Sequence, residues 1–150
     1  MKTVVLKFSD SFAPKEGTIE EHNKIIDKYG FVWYGKKGNV INSLLTDEIN
    51  NYDIQDRKII LVKSVTHECY IAEIEKIENY VKPENKYIPE YYWDWKNDIN
   101  CWIKIKCFKK VDKSILQKAT VCSSQRTLSE AFYHSMTPIF IVDIDKKEMK

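Results

Sequence analysis

The segment Tyr91-Tyr92-Trp93-Asp94-Trp95 places four large aromatic side chains within five residues. It follows Pro89, is flanked by Asp, Asn and Lys, and lacks the strict apolar–polar alternation of a half-buried strand. Exposed aromatic rings can stack on a flat group such as a nucleobase, which contributes roughly 1–3 kcal/mol per stacked base. The segment therefore predicts a stacking surface. Burial of the same rings in the core is the alternative that the pattern leaves open.

Other kinds of chemistry have weaker support in the sequence. His67 and Cys69 are two residues apart, but the other two histidines are distant, so no metal site is predicted. The four cysteines include no C-x-x-C pair. Cys101 and Cys107 share a strand face with isoleucines and are expected to be small buried side chains. With no nucleophile-elbow or phosphate-loop motif, we predict no catalytic residue and no cofactor.

Composition limits the class of protein further. The chain has 150 residues, of which 43% are hydrophobic and 13% aromatic, which predicts a single folded domain over residues 1–150. The net charge is only +2, and Arg57 and Arg126 are the only arginines, so phosphate contacts would come mostly from lysine. No signal peptide or membrane span is predicted, and four unpaired thiols favour the cytoplasm.

The elements that must position these residues follow from local patterns. Thr18 and Glu21 have the spacing of a capping box, and Gly30 is a helix stop. The predicted elements are strand 3–8, helix 18–29, strand 31–34, helix 42–51, a hairpin of strands 58–65 and 69–78, strand 101–108, turns or short helices 111–119 and 127–134, and strand 138–144. This order predicts a small mixed sheet, curled into a partial barrel with helices packed outside.

The order of elements resembles the PUA-like superfamily, specifically its EVE and YTH branches. Segment 30–36, GFVWYGK, is similar to a segment in the N-terminal modules of McrB-type restriction proteins. The other matching segments are Leu6-Lys7-Phe8-Ser9, the hairpin Ile60–Val62 with Ile71–Ile74, the loop Tyr92–Trp95, the strand Trp102–Ile105 and the polar stretch Ser123–Arg126.

This resemblance implies an α+β fold, a PUA-like (EVE/YTH) mixed β-barrel flanked by short helices. It also implies a non-enzymatic module that recognises a modified, methylated base flipped into an aromatic cage. A role in bacterial or phage defence or restriction follows from the McrB-like segment. The implied partners are nucleic acid carrying the modified base and a nuclease or NTPase subunit, and the choice between DNA and RNA is left open.

Site residues are expected from the resemblance together with the aromatic and basic patterns. The expected cage residues are Trp33, Trp93, Trp95 and Tyr92, with either Trp93 or Trp95 opposite Trp33. Lys7 and Ser9 are expected at the polar edge of the base. The expected phosphate-binding residues are Lys36, Lys37, Lys104, Lys106 and Arg126.

Two alternative functions would use the same aromatic cage as their binding pocket. A small-molecule or nucleotide sensor fits the low net charge. An ASCH-like enzyme acting on RNA or nucleotides would need a lysine or a carboxylate in the pocket, for which Lys7, Lys104 and Glu73 are the candidates.

Overall fold

A computed structural model describes all 150 residues of the chain. The strands are β1 Lys2–Phe8, β2 Val32–Lys36, β3 Lys58–Lys63, β4 Cys69–Asn79, β5 Cys101–Val111, β6 Thr120–Val121 and β7 Ile139–Asp143. The helices are α1 Thr18–Tyr29, α2 Ser43–Asn50, α3 Ile115–Lys118 and α4 Leu128–His134, with further single 3-10 turns at Ile54–Asp56, Asn85–Tyr87, Glu90–Tyr92, Lys96–Asp98 and Lys146–Met149. None of the helices has the length and apolar character needed to cross a membrane.

The strands hydrogen-bond in the order β2-β5-β4-β3-β1-β7-β6. β1 runs parallel to β3 and antiparallel to β7, so the sheet is mixed, and the predicted α+β class is confirmed. The predicted barrel does not close through hydrogen bonds, because β2 and β6 are the two edges of this order. The predicted strands and longer helices are present within one to three residues of their expected ends, whereas the two-residue β6 was not predicted.

The chain divides into two compact units, each made of separate segments. The first comprises residues 1–8, 58–72 and 109–150. Its core is an aliphatic cluster in which Val5, Ile60 and Val142 are fully buried. These side chains come from adjacent strands, since β1 lies between β3 and β7.

The second unit comprises residues 9–57 and 73–108 and contains the aromatic segment. β2 pairs antiparallel with β5, which places Trp33 opposite Lys104 and Gly35 opposite Trp102. Directly opposite residues in an antiparallel pair lie on the same face of the sheet, so these four residues share one face. A smaller hydrophobic cluster includes Trp33 and Trp102.

Helix α1 begins differently from the prediction. Gly17 is its N-cap residue with φ 92°, and no side chain of a capping box closes the first turn. Instead the Asp10 carboxylate accepts a hydrogen bond from Thr18 N at 3.0 Å, and Thr18 Oγ1 donates to the Ser9 carbonyl at 3.2 Å. The capping-box prediction was wrong because a side chain eight residues earlier satisfies the same backbone donor. The predicted stop at Gly30 is confirmed by its φ of 84° and its bond to Ile26 O.

Candidate functional site

Short helical turns divide the aromatic segment between interior and surface. Tyr92 ends the turn Glu90–Tyr92 and is 4% exposed, whereas the next residue, Trp93, is 43% exposed. Trp93 Nε1 donates to the Asn85 carbonyl at 3.0 Å, which holds its indole on the surface. Trp95, after the same turn, is half-buried. The segment therefore contains a buried ring, Tyr92, beside an exposed one, Trp93, and only rings of the second kind are available for stacking.

The buried rings form an aromatic core around Gly35. Trp102 is fully buried and donates from Nε1 to the Ile99 carbonyl at 3.1 Å, while Tyr92 packs edge-on against it at 5.7 Å between ring centres. A Cβ at Gly35 would lie 3.0 Å from both Ile99 Cδ1 and Trp102 Cζ3. The glycine is therefore required by the close approach of its neighbours and not by an unusual φ.

Trp33 belongs to this aromatic core. It is 8% exposed and clusters with Ile88, Tyr92, Ile99 and Trp102. Its ring makes no contact with the ring of Trp93 or Trp95, and Lys76 Nζ lies 5.9 Å from its ring centre. The structure thus does not bring together the two walls expected for the cage. The geometry favours a packing role for Trp33 and Tyr92, because little of either ring is left for a ligand.

A second group of rings is accessible, and we call Phe12, Trp95 and Lys37 the aromatic corner. Phe12 is 61% exposed, and its ring lies nearly perpendicular to that of Trp95, with ring centres 5.2 Å apart and an interplanar angle of 82°. The Lys37 ammonium lies 3.7 Å from the centre of each ring. Partial burial there lowers the pKa of Lys37. Two rings and a cation are thus preassembled on the surface of the second unit.

The loop that carries Phe12 is held by the start of α1. Ser9 is exposed, and its Oγ accepts a hydrogen bond from Ser11 N and lies 2.7 Å from Ser11 Oγ. Ala13 N donates to the Asp10 carbonyl at 3.1 Å, which makes a tight turn around Phe12. With Asp10 also bound to Thr18 N, the loop presents the phenyl ring from a fixed backbone. Ser9, expected at the base edge, lies in this same loop.

His22 is the most buried polar group of the second unit. It lies on α1, is 0% exposed, and its ring is 5.1 Å from that of Tyr34 and 5.5 Å from that of Tyr92. Nδ1 lies 2.7 Å from the Thr18 carbonyl, an acceptor, so Nδ1 carries the proton. Nε2 is then an acceptor, and it has no partner. Burial lowers the pKa of His22 to about 4, so the ring is neutral near pH 7.

The lysines expected to bind phosphate differ in availability. Lys36 is 8% exposed, and its ammonium donates to the carbonyls of Lys37 and Asn39. This arrangement favours a structural role in the turn after β2. Lys104 pairs with Glu75 at 2.9 Å and covers the Phe31 ring at 4.3 Å.

Two more of the expected phosphate ligands, Lys106 and Arg126, and the expected base-edge residue Lys7 differ in the same way. Lys106 is half-buried, on the same strand as Lys104, and has no ion pair. Lys7 and Arg126 belong to the first unit, where Lys7 Nζ donates to the Ser135 carbonyl at 3.0 Å and lies 4.8 Å from the Phe132 ring centre. Arg126 is exposed. Among the expected phosphate ligands of the second unit, Lys106 is therefore the one whose ammonium has no ion pair, no hydrogen bond and no ring contact.

The thiols and carboxylates of the second unit do not form an activated group. Cys101 is fully buried as expected, but Cys107 is half-buried and donates from Sγ to Glu73 Oε2 at 3.0 Å, which corrects its expected burial. Burial is the main reason that the pKa of each of these two thiols is raised. A raised pKa leaves the thiol protonated and weakly nucleophilic near neutral pH. No group of three or more His, Cys, Asp or Glu residues is placed to hold a metal ion.

Sequence reasoning missed Phe12 and His22. Phe12 lies in the polar stretch Ser9-Asp10-Ser11-Phe12, which is the same signal, an aromatic among polar loop residues, that singled out Trp95. His22 gave no such signal. It lies between Glu21 and Asn23 on an amphipathic helix, and only the packing of α1 shows that its ring is buried.

Comparison with models of known protein families identifies the family of the chain. A family model described as Pua-like matches residues 4–149, nearly the whole chain. The chain therefore belongs to the Pua-like family. Domains of this kind generally bind RNA or other nucleic acids. No curated protein and no solved structure matches the chain.

Proposed function

We propose that this Pua-like domain binds a strand of nucleic acid and stacks an unpaired base on the aromatic corner. The observation that carries the proposal is the pairing of Phe12, 61% exposed, with the accessible ring of Trp95, 5.2 Å away between centres. Protein surfaces that bind single strands combine such rings with positive charge along the backbone path. Lys106 supplies an uncommitted positive charge in the same unit.

The finer part of the proposal concerns the base. We propose that the base is modified, with a methyl group, and leaves its own stack to reach the corner, as the resemblance to EVE and YTH domains implies. A role in bacterial or phage defence, together with a nuclease or NTPase partner, follows from the McrB-like segment at residues 30–36. The aromatic corner replaces the expected pair of Trp33 with Trp93 or Trp95 as the ligand-stacking surface.

The proposed role is binding without catalysis. Each side chain named for an ASCH-like reaction already has a partner: Lys7 binds the Ser135 carbonyl, Lys104 pairs with Glu75, and Glu73 accepts the Cys107 thiol. These contacts support a structural assignment for all three. An assay for hydrolysis of nucleotides and RNA, run on the wild-type chain, would contradict the proposal if it detected turnover lost in Lys104→Gln.

The test of binding uses a fluorescein-labelled single strand and fluorescence anisotropy. Phe12→Leu removes the exposed ring and is expected to weaken binding by about 1 kcal/mol or more, since one stacked base contributes roughly 1–3 kcal/mol. Tyr133→Leu is the matched control, because Tyr133 is a comparably exposed ring, at 76%, in the first unit. Equal loss in both variants, or none in either, would contradict stacking at the corner.

A nucleotide sensor is the second candidate, favoured by the net charge of +2. Salt titration separates the two functions. A strand that contacts Z phosphates gives a slope of log affinity against log salt of about −0.7Z, whereas a free nucleotide gives a shallow slope. Tight binding of nucleoside monophosphates with no gain for longer strands would favour the sensor.

A further inference from the structure

We infer that the aromatic corner selects a positively charged base. When no ligand is bound, the Lys37 ammonium occupies the position that the charge of this base would take. The inference deepens the proposed function, on which it rests, by naming the charge of the recognised base. Its basis is the position of the Lys37 ammonium between Phe12 and Trp95.

The geometry of the corner is that of a cation site. The ammonium is 3.7 Å from each ring centre, and the centres are 5.2 Å apart. These three distances make a right angle at the nitrogen, which matches the interplanar angle of 82° and places the charge over the faces of both rings. Ring faces carry the negative lobe of the aromatic quadrupole, so both walls attract a cation.

Nothing except the rings holds the ammonium in place. Lys37 makes no ion pair and no side-chain hydrogen bond, in contrast to its neighbour Lys36, whose ammonium fixes the turn by binding the carbonyls of Lys37 and Asn39. The backbone at the corner is thus anchored independently of the Lys37 side chain. A flexible lysine stem can swing away and leave both ring faces to a ligand.

The ligand chemistry follows from the two walls and from the proposed function. A base methylated on a ring nitrogen, such as N1-methyladenine, is flat enough to stack and carries a delocalised positive charge. N6-methyladenine is the constitutional isomer of the neutral form of this base and stays uncharged at pH 7, so the two ligands differ by one proton and its charge. The corner should prefer the charged base, because stacking is shared by both and the attraction of the ring faces for charge is not.

The experiment compares N1-methyladenosine with N6-methyladenosine at pH 7. Affinities are measured from the indole N–H signals of the four tryptophans in ¹H–¹⁵N spectra of the full chain. Free nucleosides carry no phosphate, so the loss of a phosphate contact cannot obscure the result. We expect the charged nucleoside to bind about threefold to tenfold more tightly, the range that a partly exposed cation–π contact provides.

Two variants and a control sharpen the test. Lys37→Ala empties the corner and should increase affinity for N1-methyladenosine several-fold, because the internal competitor is gone. Phe12→Leu removes one wall and should reduce the preference for the charged nucleoside. Lys82→Ala removes the same charge from another exposed site of the second unit and should change neither affinity.

The outcomes separate this inference from the proposed function. If both nucleosides bind equally while labelled single strands still bind at Phe12, the charge preference is wrong and strand binding stands. If Lys37→Ala weakens binding of the charged nucleoside, the role of an internal competitor is wrong. If neither nucleosides nor strands bind, the proposed function itself fails. Tighter binding of a trimethyl-lysine peptide than of N1-methyladenosine would overturn the class of ligand.

Discussion

The second unit contains two groups of aromatic side chains with opposite surroundings. In the aromatic core, Trp33 and Trp102 are 8% and 0% exposed and belong to one hydrophobic cluster. In the aromatic corner, Phe12 is 61% exposed and faces a cation at 3.7 Å. Apolar neighbours cover the faces of the core rings. In the corner, the ring faces that meet at the ammonium are covered only by the Lys37 side chain, which can move away.

A high density of aromatic residues in the sequence therefore identifies a region of the chain but not the role of each ring. Trp93 and Tyr92 are adjacent in sequence, yet one is 43% and the other 4% exposed, because a single helical turn directs them to different sides. Whether a ring can bind a ligand depends on what covers its face: apolar side chains of the core stay in place, whereas a flexible side chain can move away. Substitutions that affect either stability or binding, but not both, therefore test whether the aromatic core and the aromatic corner have different roles.

The largest expected effect is on stability in the aromatic core. Trp102→Ala should lower the free energy of unfolding by about 3–5 kcal/mol, because it leaves a large cavity in a fully buried site. The matched change Trp93→Ala, at a surface indole, should cost no more than about 1 kcal/mol. Urea unfolding at pH 7 measures both, and equal costs would mean that the two groups of rings are not distinct.

The next effect is a dependence of stability on pH that arises from His22. Its pKa is about 4 in the folded chain and 6.5 when unfolded, so the unfolded chain binds more protons between these values. The stabilisation is complete above pH 6.5 and is lost as pH falls towards 4, by up to about 3 kcal/mol at roughly 1.4 kcal/mol per unit. The tyrosines around the ring do not titrate there, since burial raises the pKa of Tyr34 and Tyr92.

His22→Gln should flatten the unfolding free energy over this pH range, whereas His134→Gln, at an exposed position, should keep the wild-type slope. Chemical unfolding at half-unit pH steps provides the comparison. An unchanged slope in His22→Gln would show that the buried imidazole is not the titrating group.

A smaller effect is expected where the core is tightest. Gly35→Ala should cost about 1–3 kcal/mol, because its new Cβ would lie 3.0 Å from Ile99 Cδ1 and Trp102 Cζ3. Ile99→Val removes one of these atoms and should relieve part of the cost in the double variant. Strictly additive losses in this double-mutant cycle would contradict a steric cause.

Much of the fold was predictable from the sequence, since local signals dominate it. Gly30 ends α1 and Asn42 caps α2 through bonds to Leu44 N and Leu45 N, as residue types at those positions indicate. The start of α1 was not predictable in the same way. Its Thr18 N donates to Asp10, eight residues earlier, and the known capping motifs involve only residues next to the first turn.

The site was predictable only as a region. Trp95 was singled out as a cage residue and Lys37 as a phosphate ligand, but the contact of Trp95 with Phe12 joins parts of the chain more than 80 residues apart and has no local signal. Trp33 was expected in the cage because segment 30–36 resembles the segment that supplies a cage tryptophan in YTH domains. Pairing of β2 with β5 puts it beside Trp102 instead, and such pairing is not visible in local sequence.

The most direct test measures stability and strand binding together for Trp95→Leu and Trp33→Leu. Trp95→Leu should weaken binding of a labelled single strand by about 1–3 kcal/mol while the free energy of unfolding falls by less than about 1 kcal/mol. Trp33→Leu should lower the free energy of unfolding by about 2 kcal/mol or more, while its folded fraction binds as the wild type does. A stable Trp33→Leu that has lost binding, beside a Trp95→Leu that binds normally, would show that the ligand stacks on Trp33 and not on the aromatic corner.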